Sequence, residues 1–285
     1  MAELTDIKYL HSLFSRNGFN LKKGLGQNFL IDPSVCPAIA ECADIDGEGV
    51  IEIGPGAGVL TRELAKRAER VVCIELDRRL EPILKETLAD FDNVEVRFDD
   101  AMKCDLNRVI DSFGEMPVSV CANLPYYITS PLIMRLLEEK LNIKAITVMV
   151  QKEAAERLCA EMGTRECGAV TAAVRYYCEP QIMFGVGRDS FLPPPKVDSA
   201  VIRLNVGKRA SLAVSDERAF FRLIKAAFSM RRKTLSNALS SSLGISKGEI
   251  QAAFEKCGIE PTARAESLKE EQFAALSNEL FRRES

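Results

Sequence analysis

The chain has 285 residues, enough for one large domain and a smaller one, and its hydrophobic content of 47% excludes global disorder. No apolar run approaches the roughly 20 residues that span a bilayer, and the acidic N-terminus lacks the basic and apolar regions of a signal peptide. Without either feature, we expect a cytoplasmic globular protein. The net charge is −3, with a modest excess of Lys and Arg over residues 205–285.

The cysteines and the single histidine limit the possible chemistry. Nine cysteines are scattered along the chain without a Cys-x-x-Cys pair, and the odd number argues against a disulfide framework. The single histidine, His11, lies near the N-terminus, which leaves neither a His/Cys zinc site nor a catalytic triad built on histidine. We expect free thiols and no metal.

The first segment of unusual composition is residues 22–30, which read Lys-Lys-Gly-Leu-Gly-Gln-Asn-Phe-Leu. This segment is too rich in glycine for a stable helix and too apolar for a plain tail. It either folds over a ligand site, with hydrogen bonds from Gln27 and Asn28 and packing by Phe29 and Leu30, or it is an N-terminal linker. Composition leaves both interpretations open.

Apolar runs then alternate with amphipathic stretches through the first two-thirds of the chain. Strands are predicted at residues 50–54, 71–76, 94–99, 118–124 and 145–151, with helices between them that include 58–70 and 131–141. This order predicts an α/β fold with a mostly parallel sheet and helices on both faces. Two later β-like runs, 181–186 and 199–206, are joined by a proline-rich loop and could form an antiparallel edge.

Polar residues stand at the ends of the first three predicted strands. Residues 52–58 read Glu-Ile-Gly-Pro-Gly-Ala-Gly, in which glycines let the backbone approach a ligand, but the spacing is not the G-x-G-x-x-G of dinucleotide folds. Glu75 ends the second strand, where a carboxylate can hold both ribose hydroxyls of NAD or S-adenosylmethionine. Asp100 ends the third strand, where it can accept from the adenine amine of a cofactor. Together with Asn123, these positions favour S-adenosylmethionine.

The fourth predicted strand is followed by Asn123-Leu124-Pro125-Tyr126. Ligands of open α/β sheets bind at the carboxyl ends of the strands. The side-chain oxygen of Asn123 and the carbonyl of Leu124 or Pro125 can accept both hydrogens of an exocyclic amine, while Tyr126 offers a stacking face worth roughly 1–3 kcal/mol per base. These residues suit a flat base that carries an amino group; the alternative is an ordinary proline turn.

After about Gly207 the sequence becomes helical. Helices are predicted at 215–230, 231–243, 247–257 and 267–283, the third with a capping box formed by Ser246 and Glu249. We therefore divide the chain into an N-terminal extension (1–20), a large α/β domain (21–206) and a small all-α domain (207–285). The basic run Arg231-Arg232-Lys233 falls at the start of the second predicted helix.

Seven short motifs follow one another in the order of a known family. They are Gly-Gln-Asn-Phe-Leu at 26–30, Glu-Ile-Gly-Pro-Gly at 52–56, Ile-Glu-Leu-Asp at 74–77, Asp-Ala-Met at 100–102, Asn-Leu-Pro-Tyr at 123–126, Phe-Leu-Pro-Pro-Pro-Lys-Val-Asp-Ser at 191–199 and Ala-Phe-Ser-Met-Arg-Arg-Lys-Thr-Leu at 227–235. From about Leu21 to about Leu280 the chain resembles the small-subunit ribosomal RNA adenine dimethyltransferases, the family whose loss makes bacteria resistant to kasugamycin.

The resemblance implies a Rossmann-like, seven-stranded class I methyltransferase domain followed by a small helical domain. It implies transfer of four methyl groups from S-adenosylmethionine, with S-adenosylhomocysteine as product, to N6 of two adjacent adenosines. These adenosines lie in a hairpin loop near the 3′ end of 16S rRNA, in an immature 30S particle that a monomeric enzyme would bind. By motif match, the cofactor ligands are Asn28, Leu30, Gly54, Gly56, Glu75, Asp100 and Asn123.

We hypothesise roles in the reaction for the remaining motif residues. Asn123 and the neighbouring carbonyl would hold N6, Tyr126 would stack on one face of the flipped adenine, and Phe191 would close the other face. No residue is assigned as a general base. Basic side chains expected to contact rRNA phosphates are Lys22, Lys23, Lys196, Arg231, Arg232 and Lys233.

Two alternative functions stay open at this point. A large-subunit rRNA adenine methyltransferase of the macrolide-resistance type shares the fold and the Asn-x-Pro-Tyr motif, although the Gly-Pro-Gly turn and the Arg-Arg-Lys run favour the small-subunit enzyme. A ribosome-assembly factor that acts mainly by binding is the other, and the intact cofactor motifs speak against it. A nicotinamide dehydrogenase is disfavoured by the glycine spacing.

Overall fold

A computed structural model of the protein describes residues 4–20, 28–207, 212–230 and 232–282. The described residues form two compact units. The first contains the residues up to Ala155 together with Pro180–Gly207, and the second contains Glu156–Glu179 together with the residues after Gly207. The predicted division at 206/207 stays a prediction, and the structure adds Glu156–Glu179 to the C-terminal unit.

A seven-stranded sheet runs through the described residues. Its strands are β2 (Gly49–Ile53), β3 (Arg70–Glu75), β4 (Val94–Phe98), β5 (Val118–Asn123), β6 (Ala145–Gln151), β7 (Cys178–Val186) and β9 (Ser199–Val206). The strand order is β4-β3-β2-β5-β6-β9-β7, with parallel pairing from β4 to β6 and an antiparallel pairing of β6 with β9. The α/β class, the parallel sheet and its antiparallel edge are thus confirmed.

Helices of the first part of the chain connect these strands. They are α1 (Ile7–Arg16), α2 (Val35–Ala43), α3 (Val59–Ala65), α4 (Glu81–Thr87), α5 (Leu106–Asp111), α6 (Thr129–Glu138) and α7 (Lys152–Cys159). Two short strands, β1 (Phe29–Leu30) and β8 (Phe191–Leu192), form a separate antiparallel pair in which Leu30 lies opposite Phe191. This pair joins the N-terminal segment to the proline-rich loop.

Helix α1 gives the N-terminal extension a structural role that the sequence did not reveal. Its apolar face carries Leu10, Leu13 and Phe14, all buried, and these residues pack in one cluster with Phe19 and Phe29. The rings of Phe14 and Phe29 are 4.9 Å apart between centroids, a spacing at which aromatic pairs contribute beyond simple burial. Helix α1 therefore packs against β1 through Phe29.

The second unit is helical in its described residues. It contains α8 (Ala169–Tyr177), α9 (Glu217–Ala227), α10 (Leu235–Leu243), α11 (Lys247–Cys257) and α12 (Glu270–Leu280). Tyr176 of α8 packs against Phe220 and Phe221 of α9, and Tyr177 packs against Phe221, with ring centroids 5.1–5.4 Å apart. This aromatic cluster explains why α8 belongs to the same compact unit as the C-terminal helices.

One predicted helix begins later than expected. Helix α10 starts at Leu235, because the side chain of Thr234 accepts a hydrogen bond from the Asn237 amide and caps the helix. Arg232 and Lys233 therefore lie exposed in the preceding turn, which the Lys233 amide closes on the Met230 carbonyl at 2.9 Å. The prediction that the basic run opens the helix is wrong. The capping box of Ser246 and Glu249 on α11 is confirmed.

Within the described ranges, no helix is long and apolar enough to cross a membrane. The same residues contain no cluster of three or more His, Cys, Asp or Glu side chains arranged to hold a metal ion. All nine cysteines are free thiols.

Gly49 at the start of β2 provides a test of the core packing. A Cβ atom at this position would lie 2.5 Å from Cδ1 of Phe113, so we expect Gly49→Ala to lower the free energy of unfolding by about 1–3 kcal/mol. The matched control is Gly248→Ala on α11, where a Cβ atom meets nothing within 4 Å. Urea unfolding of both variants measures the difference, and equal midpoints would contradict this packing.

Candidate active site

A cavity of about 350 Å³ opens at the carboxyl end of the sheet. Because β2 to β5 are parallel, the loops that follow them meet at this edge. The lining consists mainly of residues 28–30, 52–57, 74–76, 99–102 and 123–128. The structure thus brings Asn28, Leu30, Gly54, Gly56, Glu75, Asp100, Asn123, Leu124, Pro125 and Tyr126 together around one space.

The glycine-rich turn forms one wall of the cavity. Gly54 and Gly56 have φ values of 73° and 60°, in the left-handed region that side chains other than glycine rarely adopt. A Cβ atom at Gly56 would lie 3.4 Å from Cε1 of Phe29, so β1 approaches the turn closely. The wall therefore presents backbone, and a ligand can lie directly against it.

Glu75 is held in place by backbone donors. Its Oε1 accepts from the Asp77 amide at 2.7 Å, and its Oε2 accepts from the Gly56 amide at 3.3 Å. Only 6% of Glu75 is exposed, and this burial raises the pKa of its carboxyl. A carboxylate has about four acceptor positions, so Glu75 keeps capacity for a further donor such as a ribose hydroxyl.

Asp100 lies in a loop that is fixed from α6. Its Oδ1 accepts from the Met102 amide at 2.9 Å, and its Oδ2 is 3.3 Å from Nζ of Lys103. The guanidinium of Arg135 donates to the carbonyls of Ala101 at 2.5 Å and Cys104 at 2.7 Å. Because one rigid guanidinium holds two carbonyls, the loop keeps Asp100 at the cavity.

Asn123 has a defined side-chain orientation. Its Nδ2 donates to the Asn28 carbonyl at 3.4 Å, across 95 residues of sequence. With the NH₂ end directed to Asn28, the residue before β1, the Oδ1 atom is the end left for an external donor. The amide can therefore accept a proton of an amino group, as the sequence suggests.

The structure distinguishes between the two candidate carbonyls beside Asn123. The Pro125 carbonyl accepts from the Ile128 amide at 3.1 Å and from the Thr129 hydroxyl at 3.4 Å, which occupies both of its lone pairs. Leu124 has its amide bonded to the Met149 carbonyl at 3.2 Å and its side chain buried. The Leu124 carbonyl is therefore the better second acceptor for an amine.

Tyr126 is anchored at its hydroxyl. This hydroxyl is 2.9 Å from Oγ of Ser199, a residue with 1% exposure at the first position of β9. Partial burial raises the pKa of Tyr126, so the phenol stays protonated. With its distal end fixed and its ring in the cavity wall, Tyr126 provides a rigid surface for stacking.

Phe191 does not reach this cavity. It is 3% exposed and packs on Leu30 and α2 residues such as Val35 in the hydrophobic core. The sequence places Phe191 on the second face of the base, but β8 pairs with β1 and turns the ring inwards, so we do not assign that role. Lys196 is exposed. Other predicted residues, Lys22, Lys23, Gln27 and Arg231, lie outside the described ranges.

Glu52 is a cavity residue for which the sequence suggested no role. It is fully buried at the end of β2 and accepts a weak hydrogen bond from Sγ of Cys73 at 3.5 Å. Burial raises the pKa of Glu52 to about 7. The available signal was an acidic residue inside a predicted apolar strand.

The titration of Glu52 predicts a pH dependence of stability. The pKa of Glu52 is 4.5 in an open chain and about 7 in the folded protein. Its contribution to the free energy of unfolding is therefore fully present below pH 4.5 and is lost as the pH rises through 7. We expect Glu52→Gln to remove this loss, which amounts to about 3 kcal/mol between pH 5 and 8. Urea unfolding at both pH values tests it, with the exposed Glu138→Gln as control. A parallel pH dependence in wild type and Glu52→Gln would contradict it.

Comparison with known proteins identifies the family. The family model described as "Ribosomal RNA adenine dimethylase" matches residues 18–281. The chain belongs to this family. It is therefore an S-adenosylmethionine-dependent methyltransferase of the rRNA adenine dimethylase type, as the resemblance implied.

Individual relatives agree with this assignment. The chain is 48% identical to "Ribosomal RNA small subunit methyltransferase A" of Geobacillus thermodenitrificans, over 94% of both chains. It is 47% identical to the protein of the same name from Bacillus mycoides, over 99% of this chain and 98% of that one. Both relatives match nearly the whole chain.

Two solved structures share the fold at lower identity. A dimethyladenosine transferase from Plasmodium falciparum is 29% identical, with a TM-score of 0.69 over 87% of this chain and 95% of that chain. The 23S rRNA methyltransferase ErmE is also 29% identical, with a TM-score of 0.68 over 89% and 99%. The higher identity to small-subunit enzymes disfavours the large-subunit alternative.

The residues present fit S-adenosylmethionine. Backbone of the glycine turn lines one side of the cavity, and the buried carboxylate of Glu75 stands beside it with free acceptor capacity. The apolar side chains of Leu30 and Leu76 also contribute to the wall. Leu76 is 54% exposed, which is unusual for a large apolar side chain and is consistent with a ligand covering it.

Proposed function

We propose that this protein dimethylates N6 of two adjacent adenosines in the hairpin loop near the 3′ end of 16S rRNA. Its substrate would be an immature 30S particle in the cytoplasm, which it binds as a monomer. The observation that carries the proposal is the position of Asn123, which lines the same cavity as Glu75 and whose Nδ2 is bonded to the Asn28 carbonyl, so that Oδ1 is left as the acceptor for an amine. The names of the curated relatives support the choice of the small subunit.

The adenine must leave its stack to reach this cavity, at a cost of a few kcal/mol that is smaller in a loop. Tyr126 compensates by stacking on the base, and its bond to Ser199 fixes the ring before the base arrives. The face opposite Tyr126 is not assigned to Phe191. The ring of Tyr126 therefore carries the stacking in this proposal.

Asn123 and Leu124 orient the reacting amine. The amide oxygen of Asn123 and the carbonyl of Leu124 each accept one N6 proton, which draws the nitrogen from planar towards tetrahedral geometry and frees its lone pair. S-adenosylmethionine, when bound, supplies an electrophilic methyl group on a sulfonium that is already a good leaving group. Positioning of the amine therefore provides much of the rate acceleration, and the proton can leave to solvent after transfer.

The second methylation places a further demand on the same residues. After one transfer, N6 retains a single proton, so only one of the two acceptors on Asn123 and Leu124 is satisfied. The site must then accommodate a methyl group where the first proton pointed.

Phosphate contacts are proposed for the exposed basic residues. Arg232 and Lys233 lie in an exposed turn, and Lys196 is exposed in the proline-rich loop. Lys22 and Lys23, from the segment 22–30, and Arg231, from the motif at 227–235, belong to the same proposal by their place in the sequence. Such contacts fix the orientation of an RNA without reading its sequence.

Salt dependence of binding tests the basic residues. Removal of one phosphate-binding side chain reduces the slope of log affinity against log salt by about one. We therefore expect Arg232→Ala and Lys233→Ala each to weaken binding to small subunits and to flatten this slope. Lys85→Ala, exposed on α4, is the control. Unchanged slopes in both variants would contradict a role in phosphate binding.

Methyl transfer from labelled S-adenosylmethionine tests the proposed substrate. Undermethylated small subunits, large subunits and naked rRNA are offered in separate reactions. The proposal predicts label only on small-subunit RNA. Label on large-subunit RNA would support the macrolide-resistance type of enzyme, and tight binding to small subunits without label would support an assembly factor.

A further inference from the structure

Tyr127, the residue after Tyr126, has no role in the mechanism above. It lines the mouth of the cavity, yet 57% of it is exposed. Among the exposed large apolar side chains of the described residues, Leu76 and Tyr127 are the two in the cavity wall, and Leu76 follows the cofactor residue Glu75. Tyr127 is therefore an exposed aromatic surface directly beside Tyr126, the residue that the proposed mechanism places against the base.

The backbone holds the two tyrosines in different positions. The Ile128 amide bonds to the Pro125 carbonyl at 3.1 Å, which closes a turn with Tyr126 and Tyr127 at its central positions. The Thr129 hydroxyl also donates to the Pro125 carbonyl. In this fixed turn, Tyr126 reaches inwards to Ser199, while Tyr127 stays open to solvent.

We propose that Tyr127 stacks on the nucleotide adjacent to the one in the cavity. This inference rests on the proposed function, in which the substrate is a pair of adjacent adenosines. When one adenosine occupies the cavity against Tyr126, its neighbour at the mouth loses the stacking partner on the face that adjoined the flipped base. Tyr127 stands there, one residue along the chain, and offers a ring to that base.

The chemistry of stacking suits a substrate that changes during the reaction. Stacking uses the π-face of a base and tolerates different bases. Methyl groups on N6 lie in the plane of the ring and leave this face open. Tyr127 can therefore hold the neighbour before and after that neighbour is dimethylated, so one platform serves both adenosines in turn.

The test measures kcat/KM on two kinds of small subunit. One kind carries the normal adenosine pair, and in the other either adenosine is replaced by uridine, a base that stacks less strongly. Wild type, Tyr127→Ala and Tyr127→Phe are measured on each particle, and Ile182→Ala, an exposed position outside the cavity wall, is the control. Binding of S-adenosylmethionine is measured separately by calorimetry.

We expect Tyr127→Ala to lower kcat/KM about tenfold on the normal pair with unchanged cofactor affinity, and Tyr127→Phe to restore it. The kcat/KM of wild type should fall on the particles that carry uridine, whereas that of Tyr127→Ala should be nearly the same on all particles. The reason is that the uridine replacement and the Tyr127→Ala change both weaken the same stacking interaction. Equal kcat/KM for Tyr127→Ala and wild type, or equal sensitivity to uridine, would overturn the inference. A wild type inactive on small subunits would instead overturn the proposed function.

Discussion

Replacement of Asn123 by alanine is expected to reduce methyl transfer by about 10²–10³-fold, the size of effect seen when one positioned hydrogen-bonding group is removed from an active site. The variant loses the acceptor for one N6 proton, and the amine then reverts to its planar, weakly nucleophilic form. Single-turnover methyl transfer to small subunits measures the change. Cofactor affinity should change by less than about tenfold, because Glu75 and the glycine turn are intact.

The control for Asn123→Ala is Asn107→Ala, an exposed residue of α5 outside the cavity wall. It removes an identical side chain and should retain the wild-type rate. If Asn123→Ala transfers methyl groups as fast as this control, orientation of the amine by Asn123 is excluded.

The second large effect is expected at Glu75. Glu75→Gln keeps the size of the side chain but removes the charge that strengthens hydrogen bonds to ribose hydroxyls, which contribute about 1.5–3 kcal/mol each. We expect the dissociation constant for S-adenosylmethionine to rise at least about tenfold. Calorimetric titration without RNA measures this separately from catalysis.

Glu138→Gln on α6 is the matched control for Glu75→Gln, since it makes the same change on an exposed side chain. Circular dichroism of Glu75→Gln should remain that of wild type, because an amide oxygen can still accept from the Asp77 amide. An unchanged dissociation constant in a folded Glu75→Gln variant would show that the carboxylate does not bind the cofactor.

The sheet could be predicted because its strands are buried and therefore read as continuous apolar runs. The run of β5, from Val118 to Asn123, is one example, and its polar end is visible as the residue that follows the apolar positions. The bounds of helix α11 could be predicted because Ser246 and Glu249 cap it reciprocally. Local signals of this kind require no knowledge of the tertiary structure.

The contacts that complete the site could not be predicted, because they join distant parts of the chain. The Asn123 amide bonds to Asn28 across 95 residues, and the Tyr126 hydroxyl bonds to Ser199 across 73. The burial of Phe191 likewise follows from the pairing of β1 with β8, two short strands without a recognisable pattern. These contacts are nevertheless what orient the predicted residues.

The start of α10 shows a different kind of error. The signal was present, since Thr234 is a good N-cap residue directly before an apolar run. The preceding basic residues also favour helix intrinsically, so propensity suggested a start several residues too early. The cap decides the boundary, and as a result Arg232 and Lys233 are displayed in a turn.

The central claim is that the cavity at Asn123 dimethylates adenosine N6 in small-subunit RNA. Nucleoside analysis of undermethylated small subunits after reaction with the protein and S-adenosylmethionine, combined with primer extension to map the modified positions, tests it most directly. We predict N6,N6-dimethyladenosine at two adjacent positions near the 3′ end of 16S rRNA, formed about 10²–10³-fold more slowly with Asn123→Ala. Methylation confined to large-subunit RNA, or a product equally abundant with Asn123→Ala, would contradict the account.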